Sequence, residues 1–209
     1  MAAKVVIAIV PGNGAGNVER CNYYGWLKAQ LQRRFKQDEV AVNLRNMPDP
    51  VTARESMWLP FMEKQLGCGP TSIICGHSSG AAAAMRFAES HPVAGLVLVG
   101  AYSSDLGDST ERASGYFSRP WQWDRIKANS GFIVQFASQD DPFLPWGEQH
   151  GVAKALSADL REYEDMGHFQ DEEQPDILEV LEIHIKKLLF EAAGKQRTEA
   201  EAEGDQGSS

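Results

Sequence analysis

At 209 residues, 43% hydrophobic and 23% charged, the chain is long enough for one domain with a full apolar core and too short for two comfortable ones. Its net charge of −9 argues against phosphate backbones and anionic membranes as partners. The odd, irregularly spaced Cys21, Cys68 and Cys75 suit reduced thiols better than a disulfide framework, and no apolar run reaches spanning length, so a soluble cytoplasmic or nuclear protein is expected.

In chain order, residues 5–10 are continuously apolar, as in a strand buried on both faces. Trp26, Leu27, Leu31 and Phe35 recur at helical spacing, and residues 40–44 read as a second strand. Residues 52–66 look helical, with Pro60 expected to start a new turn or a kink. A third strand at 73–75 leads into an alanine-rich helix at 79–90, and 94–100 is a fourth strand. Residues 101–130 are irregular and rich in aromatics. A fifth strand at 132–136, a helix at 147–157 and a sixth strand at 160–163 follow. Ile177, Leu178, Leu181, Ile185, Leu188 and Leu189 mark a C-terminal amphipathic helix. Alternating strands and helices predict an α/β fold with a six-stranded, mostly parallel sheet and helices on both faces. It forms a single domain over residues 1–190. Residues 191–209 are polar and acidic, lack an apolar period, and are expected to be a disordered tail.

The junction between the third strand and its helix reads Gly76-His77-Ser78-Ser79-Gly80. This G-x-S-x-G pattern is that of a nucleophile elbow, a sharp turn that presents a strained serine at the carboxyl end of a strand. The following helix points its positive end at Ser78, which suits an oxyanion forming there. A serine hydroxyl needs a base, and the base an orienting carboxylate, in the chain order Ser, Asp or Glu, His. After the fifth strand comes Gln139-Asp140-Asp141-Pro142, and after the sixth Asp165-Met166-Gly167-His168. His168 is the expected base. His77 abuts the nucleophile on a diverging side chain, while His91, His150 and His184 fit capping or solvated roles. Between the two acids, Asp141 is held extended by Pro142 and is preferred, whereas Asp140 can stabilise the turn. Asp105 and Asp108 read as loop residues.

An oxyanion hole takes one N–H from the residue after the nucleophile, Ser79, and one from the loop after the first strand, Pro11-Gly12-Asn13-Gly14-Ala15-Gly16. Asn13 is the expected donor, with Gly14 next. The loop is not a dinucleotide fingerprint: Asn17 stands where a third glycine belongs, and no acid ends the second strand. Tyr116, Phe117, Trp121, Trp123, Phe143 and Trp146 either line an apolar pocket or pack the irregular segment onto the body. Gly14, Phe143, Trp146 and Phe117 are the candidate substrate contacts. No ligand spacing for a metal is visible, and no cofactor is expected.

Several longer stretches, among them Asn46-Met47-Pro48-Asp49-Pro50, Ala113-Ser114-Gly115-Tyr116-Phe117, Arg119-Pro120-Trp121-Gln122-Trp123 and Asp140-Asp141-Pro142-Phe143-Leu144-Pro145-Trp146, resemble the retinoblastoma-binding protein 9 family of small serine hydrolases over residues 4–189. The resemblance implies a compact α/β-hydrolase fold and a Ser78, Asp141, His168 triad acting on a small ester or amide. That family is associated with retinoblastoma-type pocket proteins through a Leu-x-Cys-x-Glu segment. Here the stretch is Leu66-Gly67-Cys68-Gly69-Pro70, with proline at the glutamate, which puts that partner in doubt. A hydrolase-like scaffold that binds protein with little turnover is the alternative reading.

Overall fold

The computed structural model describes residues 4–206. Six strands, β1 (Val5–Val10), β2 (Val40–Asn43), β3 (Ser72–His77), β4 (Gly95–Val99), β5 (Ile133–Ser138) and β6 (Asp159–Tyr163), form one sheet in the order β2-β1-β3-β4-β5-β6. Every pairing is parallel. The order reverses direction at β1 and β3, the kind of switch point where open α/β sheets place their ligands.

Alternation along the strands explains why their sequences are apolar throughout. Ile7 and Ile9 point to one face, where they meet Tyr24, Leu27 and Leu31 of α1 (Tyr24–Arg34) and Ile177, Leu181 and Ile185 of α7 (Pro175–Gln206). Ala8 and Val10 point to the other face, toward α2 (Glu55–Gln65), α3 (Ser79–Ala88), α5 (Trp123–Asn129) and α6 (Trp146–Leu156). A strand covered on both sides gains from an apolar residue at every position. Ala81, Ala82, Ala83 and Ala84 are all fully buried. Small side chains all round let α3 lie close to the sheet centre with α2 and α5 packed beside it.

Three features depart from the sequence expectations. Residues 101–130 contain two short helices, α4 (Ser109–Ser114) and α5. Asp108 caps α4, accepting from the N–H groups of Thr110 and Glu111, and Gly115 ends it in the left-handed conformation. Pro60 lies inside α2, which continues through it. Finally, α7 runs to Gln206, so the segment expected to be a disordered tail is helical as far as it is described. Its Glu, Ala, Lys and Gln residues are strong helix formers, and extending an existing helix needs no new nucleus.

Candidate active site

Ser78 stands immediately beyond β3 with φ 56° and ψ −120°, and it is 8% exposed. The left-handed backbone therefore falls on the serine itself, not on the flanking glycines. Those serve close approach. A Cβ on Gly80 would run into the carbonyl oxygens of Val10 and Pro11, and one on Gly76 into that of Gly80. The strained residue is held by regular structure on either side. Its N–H donates to the Val99 carbonyl of β4 at 2.9 Å, and its own carbonyl accepts from Ala81 and Ala82 in the first turn of α3.

Asp141 and His168, the expected acid and base, lie on the loops after β5 and β6. His168 Nδ1 lies 2.7 Å from Asp141 Oδ2, and the Asp141 side chain has no exposed surface. Its other oxygen accepts from the N–H groups of Phe143 and Leu144, both at 2.9 Å. A buried carboxylate with three donors is fully satisfied as an anion. Asp140 does something different. It accepts from the Ser138 hydroxyl and the Gly167 N–H, which hold its carboxyl below the usual range, and so ties the acid loop to the turn before His168. Gln149 buttresses the same loop from α6, donating to the carbonyls of Ser138 and Leu144.

Ser78 and His168 face one cavity of about 710 Å³, although the serine hydroxyl makes no hydrogen bond to the ring in this arrangement. Such contacts are often loose before substrate arrives. Asn13 lines the same cavity. Its neighbours' N–H groups are occupied, Gly12 by the Tyr24 hydroxyl at 3.0 Å and Gly14 by the Pro50 carbonyl at 2.7 Å. Among the described residues the Asn13 and Ser79 N–H groups have no acceptor.

A family profile described as serine hydrolase matches residues 8–186. The serine hydrolase RBBP9 of Rattus norvegicus is 56% identical over 192 residues, covering 92% of this chain and 100% of that protein. This chain belongs to the serine hydrolase family. The ydeN gene product of B. subtilis, a solved structure, superposes with a TM-score of 0.76 at 23% identity, covering 88% of this chain and 100% of that one. Arabidopsis thaliana SOBER1 superposes with a TM-score of 0.59 at 15% identity, covering 88% and 99%. At these identities the likeness is one of fold, and the fold is that of the α/β hydrolases.

The cavity of this serine hydrolase is walled by Val51, Leu106, Phe143 and Leu144, with Gly14 at its edge. Phe143 stands edge-on to the His168 ring at 5.0 Å. Two expected contacts are not part of it. Phe117 packs between Tyr102 and Trp121 against the face that α3 covers. Trp146 lies over His150 in the first turn of α6. Both are in aromatic-rich stretches whose direction depends on how the loops fold back. Sequence reasoning also missed Tyr102 and Glu111. The Tyr102 hydroxyl donates to Glu111 at 2.5 Å and stands 3.4 Å from Ser79 Oγ, while Asn13 Nδ2 donates to the other Glu111 oxygen at 3.2 Å. Burial raises the Glu111 pKa. The Asp108-Ser109-Thr110-Glu111 run is a capping signal and was legible as such, but its acid turns into the cavity instead of back to the cap.

Among the described residues, no helix is long and apolar enough to cross a membrane. Leu66 and Cys68 of the segment compared with Leu-x-Cys-x-Glu are both buried, at 0% and 6% exposure.

Proposed function

We propose that this serine hydrolase cleaves small esters or amides by acyl transfer through Ser78, His168 and Asp141. The observation that carries the reading is the buried Asp141 bonded to His168 Nδ1 beside a cavity that also holds the strained Ser78. With Nδ1–H donated to the carboxylate, Nε2 is the free base. It takes the Ser78 proton as Oγ attacks the substrate carbonyl. The oxyanion is received by the N–H groups of Asn13 and Ser79 at the start of α3. Collapse expels the alcohol or amine, which leaves with the proton from His168. Water, deprotonated by the same ring, then attacks the acyl carbon and restores Ser78. No metal or cofactor enters the cycle.

The lining favours one class of acyl group. Its charged members apart from histidine are Asp108 and Glu111, and no lysine or arginine is among them. An acyl part bearing an ammonium, as in an aminoacyl ester or amide, suits that wall, and an acidic one does not.

The test is turnover of a chromogenic ester with labelling by a fluorophosphonate probe. Ser78→Ala should abolish labelling and lower kcat by up to ~10⁶-fold, and Asp141→Asn by about 10⁴-fold. Asp140→Asn keeps an acceptor oxygen and should stay within a few-fold of wild type. Near-normal turnover by Ser78→Ala would reject the assignment. A folded wild type that neither labels nor turns over would favour the protein-binding scaffold, a reading that the unpaired Ser78 hydroxyl keeps open.

A further inference from the structure

His77 takes no part in the proton transfers above, yet each of its ring nitrogens has a partner. It closes β3 and is 2% exposed. Its Nε2 lies 2.9 Å from the main-chain oxygen of His168, and its Nδ1 2.5 Å from the Tyr24 hydroxyl. A carbonyl only accepts, so Nε2 bears the hydrogen and Nδ1 is the acceptor. The Tyr24 hydroxyl then donates to Nδ1. Its two lone pairs accept from the Gly12 N–H at 3.0 Å and from Asn22 Nδ2 at 3.2 Å. Donors and acceptors balance with one tautomer and one hydroxyl orientation. A second proton on this ring would put two donors face to face, in keeping with its pKa lowered to about 3 by burial and by His168.

The chain of bonds joins the loop after β1 to the loop after β6. At one end is Gly12, whose neighbour Asn13 presents the proposed oxyanion donor. Gly14 on the far side is fixed to Pro50, so the Asn13 peptide is held from both directions. At the other end is the backbone of His168, whose ring is fixed by Asp141. We propose that Tyr24 and His77 are positioning residues, which set the distance between the oxyanion donor and the base. The role rests on the hydrolase reading above. Neither side chain exchanges a proton with substrate; each acts through Gly12 or His168.

Tyr24→Phe removes one oxygen and leaves the ring with its edge contact to Tyr23. His77→Gln retains an amide donor for the His168 carbonyl but has no acceptor at the Nδ1 position that faces Tyr24. Each should lower kcat by roughly 10²-fold, the scale of a misplaced oxyanion donor, with KM within a few-fold. The double variant should lose little more than either single one, because one chain is cut twice. Kinetics are taken well below each variant's melting temperature. Unchanged kcat in folded Tyr24→Phe, a loss confined to KM, or additive losses would overturn the role. If a variant does not fold, imidazole ¹⁵N spectra of the wild type decide. His77 should be a neutral Nε2–H tautomer throughout the neutral range, and an Nδ1–H tautomer or a titration there would overturn it. A wild type that neither turns over esters nor labels fails the hydrolase reading, and the positioning role falls with it. An active wild type with an equally active Tyr24→Phe fails the positioning role alone.

Discussion

Asp140 and Asp141 are adjacent, identical in chemistry, and do unrelated things. Only Asp141 reaches His168, while two following N–H groups hold its other oxygen in the loop. Pattern narrowed the expected acid to two residues, and in the structure the bond to His168 falls to one of them. His77 makes the complementary point. Its place beside the serine argued against its being the base, but nothing in the motif predicted that both its ring nitrogens would have hydrogen-bond partners. Its buried state has a consequence for stability. The unfolded chain binds a proton at this ring below about pH 6.5, and the folded chain resists until about pH 3. The contribution is therefore present above pH 6.5 and is progressively lost as pH falls toward 3. Between pH 7 and pH 5 the stability difference between wild type and His77→Gln should shrink by about 2 kcal/mol, measured by denaturant titration. No change in that difference would mean the ring is protonated in the folded state.

At the scale of elements, α3 and the loops around it decide whether the site can exist. The start of α3 lies close against the end of β1, as the proposed oxyanion donors require. Gly80 is what permits that approach. Gly80→Ala should cost about 3 kcal/mol or more, since the obstacle is backbone carbonyl oxygen and cannot swing away. Gly151 in α6 is the control. It has open space where a Cβ would stand, and Gly151→Ala should stabilise by about 0.5–1 kcal/mol. Thermal melts of the two variants would separate a glycine required by packing from one that is merely tolerated. The segment between β4 and β5 is built on a different principle. Buried Arg86 of α3 donates to the carbonyls of Tyr116, Arg119 and Pro120, pairs with Glu89, and stands 3.7 Å over the Trp121 ring. A single cation thus gathers the aromatic stretch onto α3, which is why Phe117 faces inward and not into the cavity.

For the molecule as a whole, charge and cavity point the same way. A net charge of −9 and two carboxylates in a cavity lined by no lysine or arginine create a potential that draws cations and repels anions. The ratio of kcat/KM for an ammonium-bearing ester over a carboxylate-bearing ester of similar size should exceed about 10 at low salt. It should then fall several-fold as the screening length shortens to about 8 Å at physiological ionic strength. A ratio near one, insensitive to salt, would remove the electrostatic part of the substrate proposal.

The sequence by itself determined the α/β class, the mostly parallel strands alternating with helices and the elbow motif, and it named the loops after β5 and β6 as the expected places of acid and base. These depend on periodicity and on short motifs, where each residue's neighbours along the chain set its conformation. For the polar residues after 190 it offered only the lack of an apolar face, while α7 is helical as far as Gln206. Only the tertiary structure decided which aromatics reach the cavity, that Glu111 turns toward Asn13, and that Tyr24 and His77 link two loops. Those are meetings between residues far apart in the chain, fixed by how loops of irregular backbone pack at the ends of the strands.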